Sequence, residues 1–207
     1  MKYIVKLVLF CIFITTITTS CQPDVSLEPV YNPTTKATEG QLEGILAGVY
    51  NVLTQDDTYG QGLWVYLNGG ADESFRNGIN VTTIYPELYN ISNSQSDVNA
   101  LWRSMYKGIE RANIFLDVIQ RIEMDSVKKS DYIGQVTFLR AYYFYLLVNH
   151  FGDVPLKTKL SSDMGTDFNM ARTPAKKVYE FIISEMIKAD SLVNPINVTK
   201  TTSIVSR

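Results

Sequence analysis

The sequence predicts an all-α protein built from pairs of helices. Four segments place apolar residues three and four positions apart, which is the spacing of an amphipathic helix. No segment shows a convincing strand pattern. The sequence contains no clear fixed-period repeat, so a regular solenoid is not indicated. Hydrophobic residues make up 45% of the 207 residues, and the formal net charge is −2. This composition argues against a disordered chain and against a polybasic nucleic-acid binder.

The N-terminus has the layout of a secretory signal. Lys2 and Lys6 form a positive region, Leu7 to Ile14 is an apolar run, and small polar residues follow as far as Ser20. A transmembrane anchor is the alternative, but crossing a bilayer requires about 20 apolar residues, and this run is much shorter. We therefore expect residues 1–20 to be a signal peptide.

Cys21 directly follows this segment and resembles the acylated cysteine of a bacterial lipobox. The position three residues before it is Thr18, where an aliphatic residue is usual. Because Cys11 lies inside the signal, the mature chain would contain one cysteine and could form no intramolecular disulfide. A diacylated Cys21 would hold the protein stably on a membrane, and secretion without a lipid is the alternative. Residues 21–37 contain three prolines and are predicted to be an extended tether.

The first two helices follow from a capping motif and from apolar stripes. Thr38 and Gln41 form a capping box that begins the first helix, and the turn at 56–60 ends it. The second helix is predicted from about Asp97 to Ile122, where the amphipathic pattern is the cleanest in the chain. The apolar positions of the two helices are Leu42, Ile45, Leu46, Val49 and Leu53, then Val98, Leu101, Trp102, Met105, Tyr106, Ile109, Ala112, Leu116 and Ile119.

The third helix is predicted from about Asp131 to Phe151, with Ser130 as its N-cap and Gly152 as its C-cap. Its middle, residues 138–148, is apolar around nearly its whole circumference, which predicts a helix packed on several sides. Arg140 is the lone charge in this stretch. We expect it to pair with a carboxylate of a neighbouring helix, because an unpaired buried charge is very costly.

The fourth helix has a strong start signal in Thr173 as N-cap and Pro174 at the first helical position. Pro195 follows its predicted end. One face is apolar, at Val178, Ile182, Met186, Ala189 and Val193.

Six short motifs follow one another along nearly all of the mature chain. They are Leu27-Glu28-Pro29, Ala71-Asp72-Glu73, Trp102 to Asn113 (with Tyr106, Ile109 and Ala112), Phe138 to Phe144, Phe151 to Leu156, and Arg172-Thr173-Pro174 with Val178, Tyr179, Ile182, Ala189 and Leu192. Together, in this order and spacing, they resemble the SusD/RagB family of bacterial outer-membrane lipoproteins. One departure is Gln135, where the family usually has a glutamate.

The resemblance implies a fold and a function. Such proteins are helical, with tetratricopeptide-like hairpins, and they are lipid-anchored at the surface of the outer membrane. They capture glycans, or in some branches peptides, and pass them to a TonB-dependent transporter of the SusC type. They are not enzymes and the resemblance implies no cofactor. The family runs to well over twice this length, so residues 38–207 are expected to be an incomplete, N-terminal SusD-like domain.

The segment between the first two helices is where we expect ligand contacts. Its aromatic rings would offer flat apolar platforms to sugars, and its polar side chains would hydrogen-bond to hydroxyl groups. Family members commonly place part of their ligand surface in such a loop. The competing interpretation is that these rings close a small core of the loop itself. The candidates are Trp64, Tyr66, Asp72, Arg76, Asn77, Tyr85 and Tyr89, whereas Trp102 and the tyrosines of 142–145 are predicted to be core.

No catalytic constellation is visible in the sequence. His150 is the only histidine and lies in the last turn of a predicted helix, where a cation suits the helix dipole. Zinc sites need several His or Cys ligands. The acid pairs Asp56-Asp57 and Asp72-Glu73 could imitate the two carboxylates of a glycosidase.

Three functions are therefore considered. The leading one is the glycan-capturing lipoprotein, and the second is a helical-repeat scaffold lipoprotein that mediates protein contacts without binding a nutrient. The third is a secreted hydrolase that uses one of the acid pairs.

Overall fold

A computed structural model describes part of the chain, namely residues 38–63, 71, 92, 95–161 and 170–194. Within these ranges the β pairing is limited to one isolated antiparallel bridge between Val154 and Thr173, so the all-α prediction is confirmed. No described helix is both long enough and apolar enough to cross a bilayer. The α-helices of these ranges are α1 (Glu39–Asn51), α2 (Ser96–Val118), α3 (Ser126–Phe151) and α4 (Ala175–Leu192).

Helix α3 lies in the middle of the fold and contacts α1, α2 and α4. It runs antiparallel to α2, since Gly108 meets Tyr143 while the later residue Asn113 meets the earlier residue Arg140. The prediction of a helix packed on several sides is therefore confirmed. Its buried residues are Gly134, Gln135, Val136, Thr137, Leu139, Arg140, Ala141, Tyr143, Phe144, Leu146, Leu147 and Val148.

Helices α2 and α3 approach closely at Gly108. A Cβ atom added there would lie 2.6 Å from Cε2 and 2.8 Å from Cδ2 of Tyr143, so a larger residue does not fit without a shift. The Tyr143 side chain is fully buried, and its hydroxyl donates to the carbonyl oxygen of Val49 at 2.6 Å. Burial raises the pKa of Tyr143, which keeps this donor protonated. The contact therefore joins α1, α2 and α3 at one place.

Arg140, the charge in the middle of α3, pairs with a carboxylate of a neighbouring helix, as predicted. Arg140 and Glu185 of α4 are each 8% exposed. Arg140 Nε donates to Glu185 Oε2 at 2.9 Å, and Nη2 contacts the same oxygen. Nη1 donates to Asn113 Oδ1 of α2, also at 2.9 Å. The guanidinium carbon lies 5.7 Å from the ring centroid of Phe181, so the pair links three helices within the core.

Helix α3 begins at Ser126, earlier than the predicted start at Asp131. Its N-cap is Asp125, whose Oδ1 accepts from the backbone N–H of Lys128 at 2.9 Å. Residues 126–130 are mostly polar, so apolar spacing could not reveal this first turn. The predicted cap at Ser130 is wrong, because its hydroxyl donates instead to the Leu192 carbonyl oxygen at 3.1 Å.

The connection from α3 to α4 is closed by the isolated bridge. Gly152 ends α3 as predicted, with a φ of 68° that favours glycine. Thr173 is not the N-cap of α4, because its N–H and C=O pair with Val154, and Pro174 stands at the N-cap position. The cap is supplied by Asp153, whose Oδ1 accepts from the first backbone N–H of α4 at 2.8 Å. A residue before the bridge therefore stabilises the helix after it.

Helix α1 begins at the predicted capping box. The Gln41 N–H donates to Thr38 Oγ1 at 3.3 Å, and the Thr38 N–H donates to Gln41 Oε1 at 2.8 Å. The helix ends at Asn51 and continues as a 3₁₀ turn at 52–54 and a π turn at 56–60. The regular α-helix is therefore slightly shorter than its apolar stripe predicted.

Gln135, which stands where the family usually has a carboxylate, is buried and hydrogen-bonded at both ends. Its Oε1 accepts from the Tyr50 hydroxyl at 2.9 Å, and its Nε2 donates to Asp131 Oδ2 at 2.8 Å. Asp131 Oδ1 also accepts from the Asn194 N–H at 2.9 Å. The amide therefore joins α1 to α3 through a donor and an acceptor rather than through an ion pair.

The aromatic residues of α3 divide between core and surface. Tyr143 and Phe144 are fully buried, but Tyr145 is 39% exposed, so its assignment to the core is wrong. The ring of Tyr145 stacks on that of Tyr142 with centroids 6.2 Å apart, and Phe138 stacks on Tyr142 at the same distance. Each residue turns the helix by about 100°, which carries Tyr145 to the side of α3 that faces away from α2.

Replacing Gly108 with alanine should destabilise the protein, because the new Cβ would clash with the buried Tyr143 ring. We expect the free energy of unfolding to fall by about 1–3 kcal/mol, the usual cost of overpacking. Urea unfolding followed by far-UV circular dichroism measures this change. The matched control is Gly44→Ala in α1, where nothing lies within 4 Å of an added Cβ. That variant should gain up to about 1 kcal/mol, and equal stability of the two variants would contradict the close approach.

Replacing Glu185 with alanine should lower the free energy of unfolding by about 3–5 kcal/mol, because Arg140 would stay buried without a carboxylate. The double variant Arg140→Met/Glu185→Leu removes both charges and should recover most of the loss. Guanidinium unfolding of the three proteins measures the difference. A double variant no more stable than the single one would show that packing, and not the unpaired charge, causes the loss.

Candidate functional site

The residues predicted to contact a ligand lie outside the described residues, and so does the predicted lipidation site, Cys21. The structure instead describes the scaffold at the two ends of the segment that contains them. The seven positions concerned are Trp64, Tyr66, Asp72, Arg76, Asn77, Tyr85 and Tyr89.

The chain leaves α1 and enters this segment through a tightly bonded turn. Thr58 is fully buried, and its hydroxyl oxygen lies within 2.9 Å of three carbonyl oxygens, those of Val52, Leu53 and Gln55. Leu63, the last residue described before the segment, is fully buried as well. The segment therefore starts from a fixed point on the core.

Two side-chain contacts hold this turn against the helices. The Ser104 hydroxyl of α2 donates to Asp57 Oδ2 at 3.2 Å. The Tyr59 hydroxyl is hydrogen-bonded to that of Tyr142 in α3, and the two rings are nearly parallel with centroids 6.5 Å apart. Asp57 therefore has a structural role in joining the turn to α2.

A cavity of about 470 Å³ opens beside the middle of α2, and its first lining residue, Trp102, lies less than two turns after Ser96. Its volume lies within the range of roughly 300–1,000 Å³ that is typical of small-molecule sites. In the part of the chain that the structure describes, its walls come from α2 and from the connection between α3 and α4. The described aromatic and charged residues that line it are Trp102, Arg103, Tyr106, Lys107, Glu110 and Lys157.

Trp102 and Tyr106 form the aromatic wall of the cavity. They lie on one face of α2 because they are four residues apart. Their ring centroids are 5.0 Å apart, and Phe151 packs edge-on against Trp102, also at 5.0 Å. Both residues are only partly buried. Trp102, which the sequence assigns to the core, therefore also presents surface to the cavity.

Hydrogen bonds hold the connection against α2. The Tyr106 hydroxyl donates to the Pro155 carbonyl oxygen at 2.8 Å. Burial raises the pKa of Tyr106, an effect that the nearby Arg172 opposes. The Glu110 carboxylate accepts from the backbone N–H of Ser161 at 3.0 Å and from its hydroxyl at 2.8 Å. These bonds give the cavity walls a defined position.

Asn113 is hydrogen-bonded both to the cavity wall and to the ion pair in the core. Its Nδ2 donates to the carbonyl oxygens of Lys157 and Lys159 at 3.2 and 3.1 Å. Its Oδ1 accepts from Arg140 Nη1 at 2.9 Å. The buried charges and the wall that contains Lys157 are therefore positioned through one amide.

The cavity is rich in positive charge. Of the lining residues that the structure describes, Arg103, Lys107 and Lys157 are cationic and Glu110 has the one carboxylate. The ion pairs between described residues join other groups, so these three cations have no carboxylate within 4.0 Å in the described part of the chain. Arg103 and Lys107 are exposed and four residues apart, so they project from the same side of α2.

Sequence reasoning missed this cavity because two distant segments form it. The sequence offered one signal. Two aromatic residues, Trp102 and Tyr106, are four positions apart, and each is followed directly by a basic residue. The apolar pattern assigned the aromatic pair to the core. The position of Lys157 depends on tertiary hydrogen bonds, and no local pattern reports them.

In the ranges that the structure describes, no group of three His, Cys, Asp or Glu residues is arranged to hold a metal ion. His150 Nδ1 lies 2.7 Å from the Leu146 carbonyl oxygen, a hydrogen bond within the last turn of α3. His150 therefore contacts its own helix in the last turn, where the sequence placed it.

The family model described as "Starch-binding associating with outer membrane" matches residues 23–205. The chain is also similar to SusD-like protein P25 of Formosa agariphila, with 28% identity over 130 residues. That match covers 58% of this chain and 25% of the relative. The chain therefore matches about a quarter of the length of this curated relative.

Solved structures share the fold. A SusD homolog from Bacteroides thetaiotaomicron is 28% identical with a TM-score of 0.69, and the match covers 78% of this chain and 31% of that one. A laminarin-binding SusD-like protein is 26% identical with a TM-score of 0.67, over 74% of this chain and 34% of that one. The helical hairpins are thus those of a tetratricopeptide-like scaffold, as the motifs implied. With a family match over most of its sequence, this chain belongs to the SusD-like family.

Proposed function

We propose that this protein captures glycans at the cell surface and passes them to a TonB-dependent transporter of the SusC type. The observation that supports capture is the cavity beside α2, where the Trp102 and Tyr106 rings stand next to charged side chains. Sugars need this combination, because their C–H faces pack on aromatic rings while their hydroxyls need hydrogen-bonding partners. The family description names starch, and one solved relative binds laminarin.

We propose that the remaining ligand surface lies on the segment from Trp64 to Tyr89. Its N-terminal end follows the bonded turn at Thr58, and its C-terminal end leads into α2, where the cavity lies. A ligand that contacted both the segment and the cavity would therefore extend along the start of α2. The proposal is one of binding without chemical change, and it assigns no cofactor.

Residues 38–207 are proposed to be the N-terminal part of a longer SusD-like domain. The outer face of α4 supports this assignment, because Tyr179, Ile183 and Ile187 are 38%, 58% and 68% exposed at four-residue intervals. A neighbouring helix ordinarily covers an apolar stripe of this kind. The same stripe also suits the second candidate function, an envelope scaffold that binds other proteins and no nutrient.

Residues 1–20 are proposed to be a signal peptide, Cys21 the lipidated residue and residues 21–37 the tether to the helical domain. A basic region followed by a short apolar run and a cysteine supports this order. Two acyl chains on Cys21 would keep the protein on the outer membrane.

Glycan capture predicts that Trp102→Ala weakens binding about tenfold, since an aromatic contact worth roughly 1.4 kcal/mol corresponds to that change. The measurement is retardation of the protein in native gels that contain starch or laminarin. The double variant Trp64→Ala/Tyr89→Ala should weaken binding as well while the helical circular dichroism stays unchanged.

Two controls make this test specific. Trp102→Phe keeps a ring and should retain intermediate affinity, and Tyr179→Ala removes an exposed ring of α4 outside the cavity and should leave affinity unchanged. If the folded wild-type protein is retarded by neither glycan, capture of these glycans is contradicted and the scaffold function is favoured.

Lipidation predicts that Cys21→Ala moves the protein from the membrane fraction to the soluble fraction of the cell envelope. The wild type should incorporate radiolabelled palmitate in a bacterial host, and the variant should not. Cys11→Ala is the matched control, because that residue would be removed with the signal. A Cys21 variant that stays on the membrane and keeps the label would contradict the assignment.

A further inference from the structure

We infer that the cavity beside α2 selects an acidic sugar, one that has a carboxylate or sulfate group. This inference rests on the proposed function and specifies the class of glycan captured. It begins from the charge of the cavity: among the lining residues that the structure describes, Arg103, Lys107 and Lys157 stand against the one carboxylate of Glu110. Within the described chain none of the three cations has a carboxylate within 4.0 Å.

The positions of the cations favour one bound anion. Arg103 and Lys107 project from the same side of α2, and Lys157 belongs to the facing connection, which Asn113 ties to α2 through two hydrogen bonds. An anion held between the two walls could therefore accept charge-assisted hydrogen bonds from both. The guanidinium of Arg103 adds a planar pair of donors that matches the geometry of a carboxylate or sulfate.

Glu110 does not cancel this preference. Its two carboxylate oxygens accept from the N–H and the hydroxyl of Ser161 at 3.0 and 2.8 Å, so the carboxylate is turned toward the connection. Its charge would still oppose a second anion in the same cavity. The arrangement therefore suits a single acidic group per bound sugar unit.

The aromatic wall explains why the ligand is a sugar and not a free anion. Along α2, Arg103 directly follows Trp102 and Lys107 directly follows Tyr106, so the rings and the cations lie side by side. A sugar could place its C–H face on the rings while its acidic group reaches the cations. A neutral sugar would use the rings and hydroxyl contacts, but it would leave the three positive charges without a counter-charge.

The test is titration calorimetry of the full chain with three probes of equal length. They are a galacturonate oligosaccharide, a sulfated galactose oligosaccharide and a neutral galactose oligosaccharide. We expect at least one acidic probe to bind about tenfold or more tightly than the neutral one, since charge-assisted hydrogen bonds usually contribute that much. Comparison of the two acidic probes decides between carboxylate and sulfate. Raising the salt concentration should weaken only acidic binding.

Variants assign the preference to the cavity. Arg103→Gln/Lys107→Gln should abolish the preference for the acidic probe, because the amides can still hydrogen-bond to hydroxyl groups but have no charge. Lys157→Gln should reduce the preference independently, and it serves if the double variant does not fold. Lys176→Gln, an exposed lysine of α4 outside the cavity, should change nothing.

The outcomes separate this inference from the function on which it rests. Equal affinity for acidic and neutral probes, or an acidic preference that survives both sets of cavity variants, would overturn the inference and leave glycan capture standing. Failure to bind these probes, starch and laminarin alike would overturn both.

Discussion

Helix α3 is apolar around most of its circumference, so it is stable only where other helices cover it on several sides. The single charge among its central residues then limits which arrangement is possible. Arg140 must meet Glu185 of α4 and Asn113 of α2 at the same time, and an arrangement shifted by one turn would bury an unpaired charge. The absence of a side chain at Gly108 lets α2 approach closely enough for this to occur. The positions of α2 and α4 depend on this set of contacts.

The sequence predicted the helices better than it predicted their ends. Apolar residues at intervals of three and four report directly on the buried face of a helix, and this located all of α1 to α4. The start of a helix depends on which group accepts hydrogen bonds from the N–H groups of the first turn. That group can lie far away in the sequence. Asp153 caps α4 across the bridge, while the nearer candidate Thr173 is engaged in the bridge itself. Ser130 was mistaken for a cap because the polar turn before it has no apolar spacing.

The candidate site was less accessible to sequence reasoning. Composition directed attention to the aromatic segment between α1 and α2, whose N-terminal end follows the buried residues Thr58 and Leu63. The cavity beside α2 depends instead on the juxtaposition of Lys157 with Arg103 and Lys107, which follows from tertiary hydrogen bonds of Asn113. The sequence therefore indicated the segment between α1 and α2, whereas the packing of the helices determined which charges meet in the cavity.

The bridge between Val154 and Thr173 has an evolutionary consequence. It joins the two ends of a long connection, so residues can be inserted or deleted between them without displacing α3 or α4. Closing a longer loop costs little, only about 0.6 kcal/mol for each doubling of its length. Ser161 and Met170, both within this connection, line the cavity. Related proteins can therefore differ in the length and sequence of this connection, and so in the cavity wall that it forms, while α3 and α4 keep their positions.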